Sequence, residues 1–251
     1  MQHPQRVAIV TGASRGIGRA TALKAAELGY AVCINYQADA DAAQAVGAAC
    51  ERSGVRATTF RADVSRSDEV AALFKHADEV LGPLDLLVNN AGIIGQTSRL
   101  EDLSEAALRS TFDVNVFGAI HCAQQAIRRM SRDRGGAGGV IVNLSSIAAV
   151  LGSPGEYIHY AASKAAIETL TIGLAKEVGP QGIRVNAVRA GTTDTEIHAR
   201  AGNPDRPAMV ARTAPLRRVA TPDDIAEAVM WLASDRAGFA SGAILSISGG
   251  L

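Results

Sequence analysis

The chain has 251 residues, of which 47% are hydrophobic and 20% are charged, a composition typical of a globular enzyme rather than a disordered chain. The 25 basic and 25 acidic side chains cancel. This balance excludes the basic footprint of a nucleic-acid-binding protein or a protein that binds an anionic membrane, so we expect neither partner.

Apolar runs alternate with alanine-rich segments of helical period along the whole chain. Seven runs predict β-strands, at 6–11, 30–36, 55–62, 84–90, 139–146, 183–188 and 243–248. The segments between them predict helices near 16–29, 38–53, 67–81, 102–131, 155–179 and 222–234. This alternation predicts an α/β fold, a doubly wound Rossmann-like domain whose seven-stranded parallel sheet carries helices on both faces. No shift in composition divides the chain, and we expect one domain over 1–251.

A glycine-rich turn, "TGASRGIG", follows the first strand. Glycines 12, 16 and 18 would let the backbone approach a diphosphate at the amino terminus of the next helix. A glycine turn that only allows close helix packing is the alternative. The same letters also fit G-x-S-x-G, with Ser14 as a hydrolase nucleophile, although no HGGG-like oxyanion segment accompanies it.

The end of the second strand bears on the choice of cofactor. It reads "INYQ", with no acid before Asp39 to hold a ribose 2′-hydroxyl, and Arg15 lies in the glycine loop. An arginine there favours a 2′-phosphate, so we predict NADP(H), with NAD(H) as the second choice. The alternative is that Arg15 is a solvated loop charge.

Tyr160 and Lys164 are four residues apart and share one face of a predicted helix. A lysine cation about 4 Å from a phenol would lower the pKa of the phenol by roughly three units before desolvation is counted. Such a tyrosine could exchange a proton with a carbonyl or an alcohol. Ser145 and Ser146, at the end of the fifth strand, could orient the substrate oxygen. Taken alone, a Tyr–Lys pair is more often a solvated surface pair.

The remaining signals concern helix caps, a lid and nearby histidines. Ser104 and Thr221 are predicted N-caps. The segment 189–215 contains three prolines and follows a strand end, so we expect an irregular lid over the site. We expect His159 to pack or to line the pocket rather than act as a base, and Tyr157 to form a pocket wall or an interface. For His198 and Arg200 we expect solvent-facing lid positions, with contact to an anionic substrate as the alternative.

The three cysteines show no CxxC spacing and suit reduced thiols, and the five histidines lack a metal-ligand spacing. We therefore expect a cytoplasmic protein that holds no metal. The first apolar run is too short for a signal peptide, and no run approaches the roughly eighteen residues of a membrane span.

Three motifs resemble those of the classical short-chain dehydrogenase/reductase family: "TGASRGIG" (11–18), "NNAG" (89–92) and "YAASK" (160–164). The resemblance extends over essentially the whole chain. The stretch "GSPGEYIHYAASKAA" is similar to a subgroup described as glucose-dehydrogenase-like or as uncharacterised oxidoreductases. In such a protein Tyr160 is the acid and base, Lys164 lowers its pKa, Ser146 polarises the substrate oxygen and Asn115 holds a water of the proton relay.

The resemblance also implies the cofactor contacts and the assembly. The expected cofactor-binding residues are Gly12, Ser14, Arg15, Gly16, Ile17, Gly18, Asn35, Tyr36, Asp63, Val64, Asn90, Ala91, Gly92, Tyr160, Lys164, Gly191, Thr193 and Thr195. A homotetramer is implied, with the helices at 102–131 and 155–179 forming one interface and the carboxyl-terminal segment another. The chain departs from the family pattern at Ala190, where proline is usual, and carries one extra residue between Ser146 and Tyr160.

Together these observations predict an NADP(H)-dependent oxidoreductase that transfers hydride between nicotinamide and a carbonyl or secondary alcohol. Acyl thioesters, sugars or polyols, and bulky ketones all stay open as substrates. The alternative from another class is a non-catalytic NADP(H)-binding module that senses redox state.

Overall fold

The computed structural model of the protein describes residues 5–251. A single sheet contains seven parallel strands in the order β3-β2-β1-β4-β5-β6-β7. In chain order they are β1 (Val7–Val10), β2 (Ala31–Tyr36), β3 (Ala57–Arg61), β4 (Leu84–Asn89), β5 (Gly139–Ser146), β6 (Ile183–Ala190) and β7 (Ile244–Ile247). The predicted seven-stranded parallel sheet is confirmed.

Helices follow or precede each strand, as right-handed crossovers between parallel strands require. They are α1 (Gly16–Glu27), α2 (Ala40–Arg52), α3 (Ser67–Val80), α4 (Glu105–Phe112), α5 (Gly118–Met130), α6 (Ala148–Leu151), α7 (Ile158–Val178), α8 (Ile197–Arg200), α9 (Arg206–Thr213) and α10 (Pro222–Ala233). A π-helical segment, Asp113–Phe117, joins α4 to α5. No helix within residues 5–251 has the length and apolarity needed to cross a bilayer.

Both faces of the sheet are covered, and β1 shows how. Successive side chains of a strand point to opposite faces. Ala8 and Val10 pack in a core with residues of α1, α2 and α10, whereas Val7 and Ile9 pack in a second core with residues of α3, α5 and α7. All four β1 residues are therefore buried, as their continuous apolar run predicted.

Two predicted segments differ from the structure. The helix predicted over 102–131 begins only at α4, because the Ser104 hydroxyl accepts a hydrogen bond from the Ala107 amide and caps the helix there. The segment 189–215, predicted to be irregular, contains α8 and α9. Pro207 lies in the first turn of α9, where a missing N–H breaks no helical hydrogen bond. A proline in this position marks a helix start rather than a loop.

The carboxyl ends of the parallel strands meet at one edge of the sheet. The glycine loop follows β1, Asn90 follows β4, Ser146 ends β5 and Gly191 follows β6. A cleft of about 760 Å³ opens along this edge and is covered in part by α8 and the start of α9. This is where open α/β sheets place their ligands.

Candidate active site

The cleft brings together nearly all of the predicted site residues. With the exception of Asn115, every residue predicted above for catalysis or cofactor binding lines it. One continuous cavity thus contains both ends of the predicted site. Asn35 and Asp63 mark its adenosine end, and Tyr160 marks its catalytic end. Among the described residues 5–251, no group of three or more His, Cys, Asp or Glu side chains could hold a metal ion.

The glycine loop is held tightly against the strand β4. Gly12 has a left-handed φ of 62°, and a Cβ on it would lie 3.0 Å from the Cα of Ala91. At Gly18, an added Cβ would lie 2.5 Å from the carbonyl oxygen of Gly12. Asn90 fixes the loop because its Nδ2 donates to the carbonyl oxygens of Thr11 and Gly12 at 2.8 and 3.1 Å. Only glycine fits this turn at 12 and 18.

The amino terminus of α1 is free to bind an anion. Arg15 occupies the N-cap position without a capping side-chain hydrogen bond, and no acidic residue lies in the first turn. The first amide groups of the helix therefore lack side-chain partners, and the positive end of the helix dipole faces the cleft. Together with the glycine loop, this fits the diphosphate of a dinucleotide.

Arg15 is held between two acids at the rim of the cleft. Its guanidinium contacts Asp39 at 2.9 Å and Glu196 at 3.3 Å. Asp39 also caps α2, since one of its carboxylate oxygens accepts from the Ala42 amide at 3.0 Å. Arg15 lines the cleft, whereas Asp39 does not. Arg15 is thus an ordered cation facing the cavity and not a solvated loop charge.

The residues at the adenosine end link the glycine loop to β3. Asn35 is buried, accepts from the Gly12 amide at 3.1 Å and donates to the Ala62 carbonyl at 3.0 Å. The Asp63 carboxylate accepts from the Ser65 hydroxyl at 2.7 Å. Asp63 and Val64 line the cleft beside Asn35, as predicted for residues that flank an adenine.

The two serines at the end of β5 have different partners. The Ser145 hydroxyl donates to Glu168 at 2.8 Å, and the Glu168 carboxylate is held bidentately by Arg189 at 2.8 and 2.6 Å. The Ser146 hydroxyl instead accepts from the Ala148 amide at 3.2 Å, and it lies close enough to Tyr160 to lower the pKa of that phenol slightly. The structure therefore commits Ser145 to a packed ionic network and leaves Ser146 beside the candidate catalytic phenol.

Tyr160 and Lys164 are both buried on α7, with Nζ of Lys164 5.8 Å from the centroid of the tyrosine ring. That Nζ donates to the carbonyl oxygen of Leu144 at 2.8 Å. Burial raises the pKa of Tyr160 above its ordinary value, and the nearby Ser146 hydroxyl opposes the rise only in part. Burial also lowers the pKa of Lys164 to about 8.

The predicted lowering of the Tyr160 pKa by Lys164 is therefore wrong for this structure. The loss of solvation around the phenol raises its pKa, and the Lys164 ammonium donates to the Leu144 carbonyl rather than to the phenol. At neutral pH the phenol is protonated and the lysine is largely charged.

Asn115 lies behind the cleft wall, in the π-helical segment. Its Oδ1 accepts from the Ile93 amide and its Nδ2 donates to the Ile93 carbonyl, both at 2.8 Å. A Cβ on Gly92 would lie 3.2 Å from this Oδ1 and 3.4 Å from Nζ of Lys164. The side chain thus clamps the loop after β4 next to Lys164, and its part in a proton relay stays a prediction.

Ala190 lets β6 continue to the edge of the cleft. It pairs in register with Ser146 of β5 and Ile247 of β7, and its carbonyl accepts from the Ile147 amide at 2.8 Å. A proline, usual in the resembled family, would keep this carbonyl acceptor but would lack the backbone N–H. Gly191 and Thr193, which follow, still line the cleft.

The comparisons with known proteins agree with this geometry. The family described as enoyl-(acyl carrier protein) reductase matches residues 12–251. The uncharacterised oxidoreductase YgfF of Escherichia coli is 46% identical over 97% of this chain and 99% of that protein. The chain belongs to the short-chain dehydrogenase/reductase family. The cis-4-hydroxycyclohexanecarboxylate dehydrogenase of Sinomonas cyclohexanicum is 43% identical over 98% of this chain and 96% of that protein.

A solved structure shows the same fold. The short-chain dehydrogenase of Burkholderia cenocepacia, crystallised in complex with NADP, superposes with a TM-score of 0.89 at 36% identity, over 99% of both chains. This short-chain dehydrogenase/reductase is thus an oxidoreductase that acts on carbonyl or alcohol groups with a nicotinamide dinucleotide, and not a non-catalytic module.

Family membership also removes the hydrolase hypothesis for Ser14. Within residues 5–251, the hydrogen bonds of histidine side chains go to Thr58, Val64 and Ile94, and none goes to Ser14. Ser14 lines the cleft as part of the glycine loop.

Of the two histidines near the cleft, one packs in the protein interior and the other lines the cleft. His159 is buried and its Nε2 lies 3.1 Å from the carbonyl oxygen of Ile94, so it packs, as expected. The expectation that His198 faces solvent is wrong: it is buried and lines the cleft, because α8 folds over the cavity. Arg200 is exposed, as expected, and pairs with Glu196 at 3.2 Å at the rim of the cleft.

Sequence reasoning missed Arg206, which reaches the cleft from the first position of α9. The proline that follows it could have signalled a helix start there, as it does for Thr221 and Pro222 at α10.

Proposed function

We propose that this enzyme is an NADP(H)-preferring reductase and dehydrogenase of small ketones and secondary alcohols, with Tyr160 as acid and base. The observation that supports it best is the buried Tyr160, which lines the same cavity as Ser146 and the free amino terminus of α1. No other part of the described chain combines an anion-binding helix end with a buried proton donor.

The chain's own residues then have defined parts. A bound nicotinamide dinucleotide supplies the hydride to the substrate or accepts it. Ser146 orients the substrate oxygen, and the Tyr160 hydroxyl donates its proton to that oxygen during reduction. Because burial keeps this phenol protonated at neutral pH, the site is suited to reduction there. Lys164 and Asn115 replenish the proton on Tyr160 from the interior side of the loop after β4.

The preference for NADP(H) rests on Arg15. It is the cation at the adenosine end of the cleft, where Tyr36, Gln37 and Ala38 contribute no acid. The NADP-bound Burkholderia relative supports the same choice. We expect Arg15→Ala to lower kcat/KM with NADPH by about tenfold and to leave the value with NADH little changed. Equal losses with both cofactors would contradict the assignment.

Three further features belong to this proposal. The segment 189–215 acts as a substrate lid over a single domain, 1–251. The protein forms a homotetramer. Exposed apolar side chains suit the two interfaces: Phe117 ends the π-helical segment before α5, Ile172 lies on α7, and Phe239 and Leu251 lie in the carboxyl-terminal segment. It works in the cytoplasm, where its three buried, unpaired cysteines stay reduced. Light scattering after size-exclusion chromatography tests the tetramer.

The substrate is open among three classes. The Sinomonas relative suggests cyclic hydroxy acids, the matching family's description suggests acyl thioesters, and the predicted glucose-dehydrogenase-like subgroup suggests sugars. A panel of oxo acids, β-ketoacyl thioesters, aldoses and aryl ketones, each with NADPH and with NADH, distinguishes these classes.

Tyr160→Phe tests the proposed function directly. We expect turnover to be lost while NADPH binding is retained, because only the hydroxyl is removed. Tyr30→Phe is the matched control, since Tyr30 is equally buried but packs in the core with α1 and α2, outside the cleft. A Tyr160→Phe variant that keeps about a tenth of the wild-type kcat, a loss of only about 1.4 kcal/mol in transition-state stabilisation, would defeat the assignment.

A further inference from the structure

Three of the side chains that line the cleft and that the proposed cofactor site does not use are Tyr157, His198 and Arg206. Tyr157 directly precedes α7, His198 is on α8 and Arg206 begins α9. We refer to these three residues as the distal wall. They come from separate segments of the chain, so their meeting is a property of the folded lid.

The distal wall contacts the catalytic phenol through the ring of Tyr157. The ring of Tyr157 meets that of Tyr160 edge-on, with the centroids 5.7 Å apart and the planes at 83°. The guanidinium carbon of Arg206 lies 5.0 Å from the centroid of the Tyr157 ring. The Tyr157 ring therefore contacts both the cation and the catalytic phenol.

The guanidinium of Arg206 has donors to spare. Only its Nη1 is bound, to both carboxylate oxygens of Glu156 at 2.6 Å. Its Nε and Nη2 donate to no residue between 5 and 251, and neither nitrogen is sealed from solvent. The side chain is 21% exposed and lines the cleft. The edge formed by Nε and Nη2 presents two parallel N–H groups, the geometry that matches a carboxylate.

His198 provides an independent observation that points to the same ligand. Its residue is only 9% exposed, yet within the described chain its ring nitrogens have no hydrogen-bond partner. They are not closed off from the cavity. Burial, together with the nearby Arg206 cation, lowers the pKa of His198, so the ring is a neutral N–H donor. A buried donor without a partner is costly, and a ligand acceptor would satisfy it.

We propose that the distal wall is a carboxylate subsite and that the substrate is a small oxo or hydroxy acid. Its carboxylate binds Arg206 and His198 while its carbonyl or hydroxyl carbon lies at Tyr160. The inference rests on the proposed function, which it narrows to one of the three substrate classes. Glu156 acts as a positioning residue, because it holds Nη1 and leaves the opposite edge of the guanidinium to the substrate.

The test compares two ketones of similar size, 4-oxocyclohexanecarboxylate and 4-methylcyclohexanone, with NADPH as the reductant. For the wild-type enzyme we expect kcat/KM to be at least about tenfold higher for the acid. Arg206→Met keeps the aliphatic length and removes the donors. We expect it to lower kcat/KM for the acid at least about tenfold more than kcat/KM for the neutral ketone, mainly through a higher KM for the acid.

Two further variants test the details. Arg206→Lys restores part of the preference for the acid, since it keeps the charge but not the paired donors. Glu156→Gln raises KM for the acid, because it weakens the ion pair that positions Arg206. If the wild-type enzyme shows no preference for the acid, or if Arg206→Met weakens both ketones equally, the subsite is refuted.

A binding measurement separates this inference from the proposed function. Isothermal titration of 4-oxocyclohexanecarboxylate into the enzyme with NADP⁺ bound should give a Kd that rises about tenfold in Arg206→Met. Arg206-dependent binding without turnover of any carbonyl would defeat the proposed function and keep the subsite. Turnover of neutral ketones with no Arg206-dependent binding of the acid would defeat the subsite alone.

Discussion

Replacing Lys164 by methionine tests the free-energy cost of a buried cation that the proposed mechanism needs. The ammonium group is buried and donates one hydrogen bond, to the Leu144 carbonyl at 2.8 Å. Burial lowers the pKa of Lys164 from 10.5 to about 8. Between these two pH values the unfolded chain holds this proton and the native protein has lost it, so native stability rises with pH across that window.

The size of the effect follows from the shift. Each pKa unit corresponds to about 1.4 kcal/mol, so the native state gains about 3 kcal/mol as the pH rises from about 7 to about 10.5. Methionine has a similar length and no charge, and the variant lacks this gain. The lost hydrogen bond to Leu144 costs the variant about 1–2 kcal/mol at every pH and leaves the pH dependence unaltered.

Urea unfolding of both proteins near pH 7 and near pH 10 measures the difference. We expect the free energy of unfolding of wild type, relative to Lys164→Met, to rise by about 2.5 kcal/mol over this range. Lys176→Met, at an exposed lysine on the same helix, is the control and should follow wild type. A difference that does not change with pH would refute the buried-cation reasoning. Lys164→Met should lack turnover throughout.

Two more predictions concern the catalytic end of the cleft. Ser146→Ala should lower kcat about a hundredfold and should leave cofactor affinity unchanged. Ser145→Ala should instead lower the free energy of unfolding by about 1–3 kcal/mol, because the Glu168 carboxylate loses a hydrogen-bond donor. Kinetics and urea unfolding distinguish the two variants, and equal kinetic losses would contradict the assignment. Because burial raises the pKa of Tyr160, alcohol oxidation should accelerate by about tenfold per pH unit from about pH 7 to about pH 9, without a matching gain in carbonyl reduction. Rate profiles in both directions check this, and an oxidation optimum below about pH 7 would count against it.

Local sequence patterns were enough for the architecture and for most of the cleft. The continuous burial of β1, the caps at Ser104 and Thr221, and the glycines of the first turn depend on residues only a few positions apart. Parallel strands also place their carboxyl ends at one edge. The position of the cleft, and nearly all of its predicted lining, therefore followed from the order of the elements alone.

The properties of individual groups depended on tertiary contacts. Ser145 and Ser146 are adjacent, and only the distant Glu168 shows which hydroxyl is already bound. The spacing of Tyr160 and Lys164 predicted their proximity but not the direction of the tyrosine pKa, because desolvation is set by the segments packed around them. In the same way, only the folded lid places His198 and Arg206 over the cleft. The sequence determined which residues are neighbours along helices and strands, whereas burial, and with it protonation and the availability of donors, arose from segments far apart in the chain.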